Sequence, residues 1–171
     1  MRSVPAFGGN DACTYTGQMR GGERHGFGGA SWETGPNVTY DGQWKEGKRH
    51  GRGAIKWRNG KSYEGQWQGD KPHGQGVLKW QCGDIYEGQF ADGNRRGQGI
   101  YKWINGSSHE GQWQESVRHG QGIYKLANGD SEEGRWKEAE RQGKFIYAKA
   151  DGTRWNRVYK DNRMKSETPI P

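Results

Sequence analysis

The sequence predicts an all-β chain, a single-layer, elongated antiparallel sheet of successive β-hairpins. Three observations point there. A glycine recurs every 23 residues at Gly42, Gly65, Gly88, Gly111 and Gly134, each within a pentapeptide of the form Tyr63-Glu-Gly-Gln-Trp67. A second motif of the form His73-Gly-Gln-Gly76 lies between the pentapeptides. An Asn-Gly or Asp-Gly pair, such as Asn59-Gly60 or Asp151-Gly152, closes most blocks. A fixed period of this length marks a repeat architecture, and Asn-Gly and Asp-Gly favour type I′ hairpin turns.

Composition alone would mislead. Only 29% of the 171 residues are hydrophobic, 31 are glycine, and the net charge is +7. Such a balance usually describes a disordered chain. Here nine tryptophans and a 12% aromatic content fall in register with the period. The chain can therefore build a series of small aromatic contacts instead of one large core.

The elements follow in order. Residues 1–14 are expected to be a tail, 15–155 a repeat domain, and 156–171 a C-terminal tail or cap. The first block, Tyr15-Thr-Gly17-Gln-Met19, starts 25 residues before Tyr40, with an insertion around Gly35-Pro36. In a regular block, residues 63–67 form a strand, 68–72 a turn, 74–80 a second strand and 81–84 the turn into the next block. Connections this short require antiparallel neighbours. Later blocks depart from the pattern. His109 and Glu132 stand where tyrosine stands elsewhere, the second motif decays to Gln142-Gly-Lys-Phe145, and Trp155-Asn-Arg157 lacks the glycine. Helical periodicity is absent before the tail, where a short C-terminal helix over 156–167 is left open.

Side chains alternate across a strand. Tyr63, Gly65 and Trp67 therefore share one face with Gly76, Leu78 and Trp80, and the glycine leaves a gap for a ring from an adjacent strand. The opposite face carries an acidic row, Asp41, Glu64, Glu87, Glu110 and Glu133, and a basic row, Lys56, Lys79, Lys102 and Lys125. The two rows are expected to alternate across the sheet.

A single layer leaves one side of each ring uncovered, and contiguous exposed aromatic area marks a binding surface. The candidate partner-binding residues are Tyr40, Trp44, Trp57, Tyr63, Trp67, Trp80, Tyr86, Phe90, Trp103 and Trp113. They would hold an extended or helical segment of another protein. Lys48, Arg49, Lys71, Arg95, Arg96 and Arg118 are expected to gather on one edge that suits an anionic membrane surface. The interspersed acids disfavour nucleic acid.

Catalytic and metal readings fail on spacing. His25, His50, His73 and His119 hold equivalent positions about 10 Å apart, whereas zinc ligands lie about 2.0–2.3 Å from one ion. They are read as loop histidines bonding backbone, with no metal and no cofactor. Neighbouring acids, also ~10 Å apart, lie outside the range of a glycosidase pair, about 6.5–9.5 Å at most. The Gly-x-Gly units open no helix and so are not dinucleotide fingerprints. The chain is expected to be non-enzymatic. Cys13 and Cys82 would lie roughly 30 Å apart, too far for a disulfide. Residues 1–10 hold no apolar run of a secretory leader. With these features the expectation is a cytoplasmic, reducing location. Asn37-Val-Thr39 and Asn105-Gly-Ser107 match the glycosylation pattern by chance.

Over about residues 15–155, Tyr-Glu-Gly-Gln-Trp, His-Gly-Gln-Gly and Asn-Gly at constant spacing resemble the MORN repeat (membrane occupation and recognition nexus). The resemblance implies a rod or trough of about six repeats, ~60 Å long at two strands per repeat, with atypical end repeats as caps. It also implies a scaffold or adaptor at cytoskeletal, ciliary or membrane-junction structures, whose aromatic concave face holds a partner's peptide segment. The alternative is a peripheral membrane adaptor using the basic edge on anionic phospholipids. Open terminal strands suit a homodimer through the end repeats.

Overall fold

The computed structural model of the chain describes residues 4–5 and 13–171. The tail expected over 1–14, and the absence of a leader read from it, fall largely outside these residues. Within it, Val4 and Pro5 pair with Tyr15 and Thr14.

The described residues form an open antiparallel sheet whose strands follow chain order. The strands are β1 (Val4–Pro5), β2 (Cys13–Arg20), β3 (Glu23–Trp32), β4 (Asn37–Lys45), β5 (Lys48–Trp57), β6 (Ser62–Gln68), β7 (Lys71–Lys79) and β8 (Ile85–Ala91). They continue as β9 (Asn94–Lys102), β10 (Ser108–Gln114), β11 (Val117–Lys125), β12 (Ser131–Lys137), β13 (Glu140–Ala148), β14 (Arg154–Lys160) and β15 (Arg163–Ile170). The predicted single-layer all-β class holds. Two compact units share the chain, one of Met1–Cys82 with Phe90–Gly93, the other of Gly83–Gln89 with Asn94–Pro171.

The hairpin turns are tighter than the sequence suggested. β6 and β7 are joined by Gly69 and Asp70 alone, both with positive φ, as a type I′ turn requires. Equivalent turns use Glu115-Ser116 and Glu138-Ala139, where no glycine helps. The Asn-Gly pairs are not the type I′ turns expected. At Asn59-Gly60 only the glycine has positive φ. Gly60 N–H donates to Trp57 O at 3.0 Å and Trp57 N–H to Lys61 O at 2.9 Å. This is a type I turn followed by a left-handed glycine. Asn59 Oδ1 accepts from Lys61 N–H at 3.1 Å. Asn105 likewise accepts from the amide and hydroxyl of Ser107, which gives that apparent glycosylation pattern a turn-forming role.

Within the first unit, the hairpin β6–β7 shows why the motif residues recur. Gly65 pairs with Gly76, but the next pair is Gln66 with His73, so Gly74 and Gln75 form a bulge. Gly74 takes φ +59° there, and Gln66 Oε1 accepts from Gln75 N–H at 2.8 Å. The Tyr63 ring crosses to lie over Gly76, where an added Cβ would come within 2.4 Å of the tyrosine oxygen. Its hydroxyl donates to Gln66 O at 2.8 Å, and Trp67 Nε1 donates to Gly53 O of the preceding hairpin at 2.9 Å. The expected gap-filling ring is present, supplied from within the same hairpin. His50 and His73 sit in strands beside the bulges, paired with Gln43 and Gln66, not in loops.

The rings interlock edge to face. In the first unit Tyr40 meets Trp44 at 4.9 Å and Trp67 at 5.5 Å, and Tyr63 meets Trp67 and Phe90 at 5.1 Å each. In the second, His109 meets Trp113 at 5.5 Å and Trp136 at 5.2 Å, and Phe145 links Trp136 to Tyr159. Such pairs contribute roughly 0.5–1.5 kcal/mol each beyond the area they bury.

The stretch 156–167, left open as a helix, is instead a hairpin of β14 and β15 joined by the turn Asp161-Asn162. Glycine is absent because Arg157 occupies that position. Its guanidinium pairs with Glu132 and Glu167, each at 2.8 Å. The decayed motif at Gln142–Phe145 has a matching explanation. Glu132 removes the ring normally contributed by the first strand, and Phe145 supplies one from the second, lying over Gly134. The charged rows also differ from expectation. Glu64 stands opposite Ala54 and Val77, and Lys56 and Lys79 stand opposite Ser62. Acid and base are therefore diagonal, not directly paired.

Candidate functional site

The first aromatic row is interior. Tyr40, Trp44, Tyr63, Trp67, Tyr86, Phe90 and Trp113 are 0–5% exposed. The expectation that these rings offer an open face is corrected by the edge-to-face packing, in which each ring covers its neighbour. Burial pushes the Tyr86 hydroxyl pKa up to about 12 and raises those of Tyr40 and Tyr63 as well. Trp57, Trp80 and Trp103 remain half-buried, so the available aromatic surface is the second row.

The basic residues divide in two. Lys48, Lys71 and Arg96 face solvent. Arg49, Arg95 and Arg118 do not form an open edge. Their guanidiniums lie over tryptophan rings, Arg49 at 4.7 Å from Trp67, Arg95 at 4.6 Å from Trp113 and Arg118 at 4.3 Å from Trp136. This is cation–π geometry. Each also bonds the following hairpin's turn. Arg49 Nε donates to Asp70 Oδ1 at 2.9 Å, and the terminal nitrogens of Arg95 and Arg118 donate to Ser116 O at 2.5 Å and Ala139 O at 3.1 Å. Burial lowers the pKa of Arg95. It lowers that of Arg118 too, with repulsion from Arg141 adding to the effect.

In the second unit these two sets of residues meet. Arg95, Tyr101, Trp103, Trp113, Val117 and Arg118 line a hollow of about 250 Å³, completed by Ser116 and Ala139. Buried Trp113 forms the floor. Tyr101 and Trp103 lie 4.7 Å apart, and Trp103 meets Tyr124 at 5.5 Å. Tyr101 was not among the sequence candidates. A signal existed, because aromatics stand at Tyr101, Tyr124 and Tyr147 where earlier blocks carry Ile55 and Leu78. Asp84 orients Tyr101 by accepting its hydroxyl at 2.6 Å. A second hollow, about 320 Å³, lies in the first unit on the polar face among Asp41, Ala54, Lys56, Glu64, Val77 and Lys79.

Among the described residues no group of three or more His, Cys, Asp or Glu side chains gathers as a metal site. Cys13 and Cys82 are free thiols. Among the described residues no helix is long and apolar enough to cross a membrane.

The MORN repeat profile matches residues 15–36, 40–62, 63–84, 86–108 and 109–131. No curated protein matches the sequence. Among solved structures, the TCP domain of Drosophila melanogaster SAS-4, in complex with a proline-rich motif of Ana2, is similar at 16% identity. The match covers 71% of this chain and 84% of that one, with a TM-score of 0.38. The repeats matched by the profile span more than half of the sequence, and their tyrosines, glycines and tryptophans are those that build the ring ladder: the chain belongs to the MORN-repeat family.

Proposed function

We propose that this protein is a non-enzymatic scaffold whose aromatic face holds an extended segment of a partner protein. Membership of the MORN-repeat family suggests a scaffold or binding role. The observation that carries the finer reading is the hollow floored by Trp113 and walled by the half-buried rings of Tyr101 and Trp103. Its volume, about 250 Å³, is below the ~300–1,000 Å³ of small-molecule pockets and suits side chains from a segment laid across the face. Tyrosine and tryptophan are the side chains that most often dominate such contacts.

The test compares affinity capture by the wild type with capture by Trp103→Ala and by Arg135→Gln, whose exposed residue lies away from the hollow. The reading expects a defined partner that Trp103→Ala loses and Arg135→Gln keeps. Equal capture by all three would overturn it. Salt-sensitive co-sedimentation with anionic vesicles, unaffected by Trp103→Ala, would replace it with the membrane reading.

A further inference from the structure

The turn that meets each of these ring-stacked arginines differs along the chain. Arg49 meets Asp70, whose carboxylate accepts from Nε while its carbonyl accepts from a terminal nitrogen at 3.1 Å. Arg118 meets Ala139, which offers its carbonyl alone. Arg141, one hairpin further on, has the carboxylate of Glu132 at 2.6 Å. Arg118 thus holds a half-buried positive charge with no carboxylate partner among the described residues. Burying a charge without a counter-charge is costly. Burial and Arg141 both disfavour the charged form of Arg118. Arg95 lines the same hollow, and no acid does.

We propose that this hollow receives a carboxylate side chain from an acidic partner segment, bonded by Arg118, with an apolar neighbour of that residue resting against Trp103 and Val117. Charge complementarity selects the carboxylate, since the hollow presents the guanidinium of Arg118, which has no carboxylate partner among the described residues, and is lined by rings and no acid. The concave, ring-floored shape selects a peptide, because a membrane surface is met by solvent-facing cations such as Arg96 and not by half-buried ones. The inference rests on the partner-binding reading above and adds the chemistry of the partner.

The probe is a short fluorescent peptide in which Glu alternates with Leu, compared with its Gln-for-Glu counterpart and with phosphatidylcholine vesicles containing phosphatidylserine. The full-length protein is expected to prefer the Glu peptide on the order of tenfold, as a charge-assisted bond implies. Arg118→Gln should abolish the preference. Ala139→Asp should abolish it too, by supplying to Arg118 the internal carboxylate that Asp70 supplies to Arg49. This second variant removes no buried group and so separates loss of the site from loss of the fold. Arg135→Gln should keep the preference. Equal binding of both peptides, weakened alike by Trp103→Ala, would overturn the charge inference and leave the scaffold reading standing. Binding of neither peptide, or a preference that survives in Ala139→Asp, would overturn it, as would Arg118-dependent binding to the vesicles alone.

Discussion

His109 occupies the place of the motif tyrosine and is fully buried between Trp113 and Trp136. Neither ring nitrogen has a hydrogen-bond partner. In the regular repeat, Tyr63 reaches the carbonyl of Gln66, but an imidazole is too short to make the equivalent bond. Gly111 and Gly122 still provide the space for a tyrosine. His109→Tyr is therefore expected to stabilise the protein by roughly 0.5–1.5 kcal/mol, a rise of about 2–4 °C in Tm per kcal/mol. The same residue sets a pH dependence. Burial, reinforced by Arg118, holds the folded-state pKa at about 3, against about 6.5 in the unfolded chain. The unfolded state binds the proton first. Stability from this group is thus complete above about pH 6.5 and declines as pH falls toward 3, by at most about 1.4 kcal/mol per pH unit. Urea melts of wild type and His109→Tyr should diverge in that window. Parallel curves would show that the imidazole does not stay neutral.

At the scale of the element, strained turns and substituted repeats give separate tests. Ala139 sits at φ +68°, where a β-carbon costs about 1–2 kcal/mol. After glycine's greater unfolded-state freedom is subtracted, Ala139→Gly should stabilise by roughly 0.5–1 kcal/mol, and a lower denaturation midpoint would contradict the turn geometry. Glu132 and Phe145 form the other case, a carboxylate and a ring exchanged for the tyrosine and glycine of a regular repeat. Glu132→Tyr should crowd Phe145, and Phe145→Gly should leave a cavity. The double variant should be less destabilised than the sum of the singles by about 1 kcal/mol or more, and additivity in equilibrium unfolding would refute the exchange. These elements also mark how far the sequence could be read. Repeat frame, strand positions and antiparallel order were legible because Tyr, Gly and Trp have fixed geometric duties in each hairpin. The tight turns were not, because Glu115-Ser116 and Glu138-Ala139 take positive φ with no Gly, Asn or Asp to mark it. The last hairpin was hidden because Arg157 replaces a glycine and forms ion pairs that periodicity cannot show. The aromatic site was half legible. Alternation placed both rows on one face, but only the three-dimensional packing shows that the first row covers itself and that Tyr101, Trp103, Arg95 and Arg118 share a hollow.

At the scale of the whole molecule, each strand bonds only to its neighbours in sequence. Stability in such a chain approximates a sum of hairpin and nearest-neighbour terms, so damage should remain local. The C-terminal unit gives the sharpest case. Glu132, almost fully buried, accepts from Tyr159 at 2.8 Å and pairs with Arg141 and Arg157. Burial alone would raise its pKa, but Tyr159, Arg141 and Arg157 together hold it below the usual glutamate value. Deleting residues 149–171 removes Tyr159 and Arg157, uncovers Phe145, and leaves a buried carboxylate with Arg141 as its one cationic partner among these. Hydrogen exchange should then show β12 and β13 losing most of their protection. Strands β4 to β7, which are not neighbours of the deleted strands in the sheet order, should exchange as in the intact protein. A uniform rise in exchange across all strands would mean that the sheet unfolds as one cooperative block, and that the nearest-neighbour account of this chain is wrong.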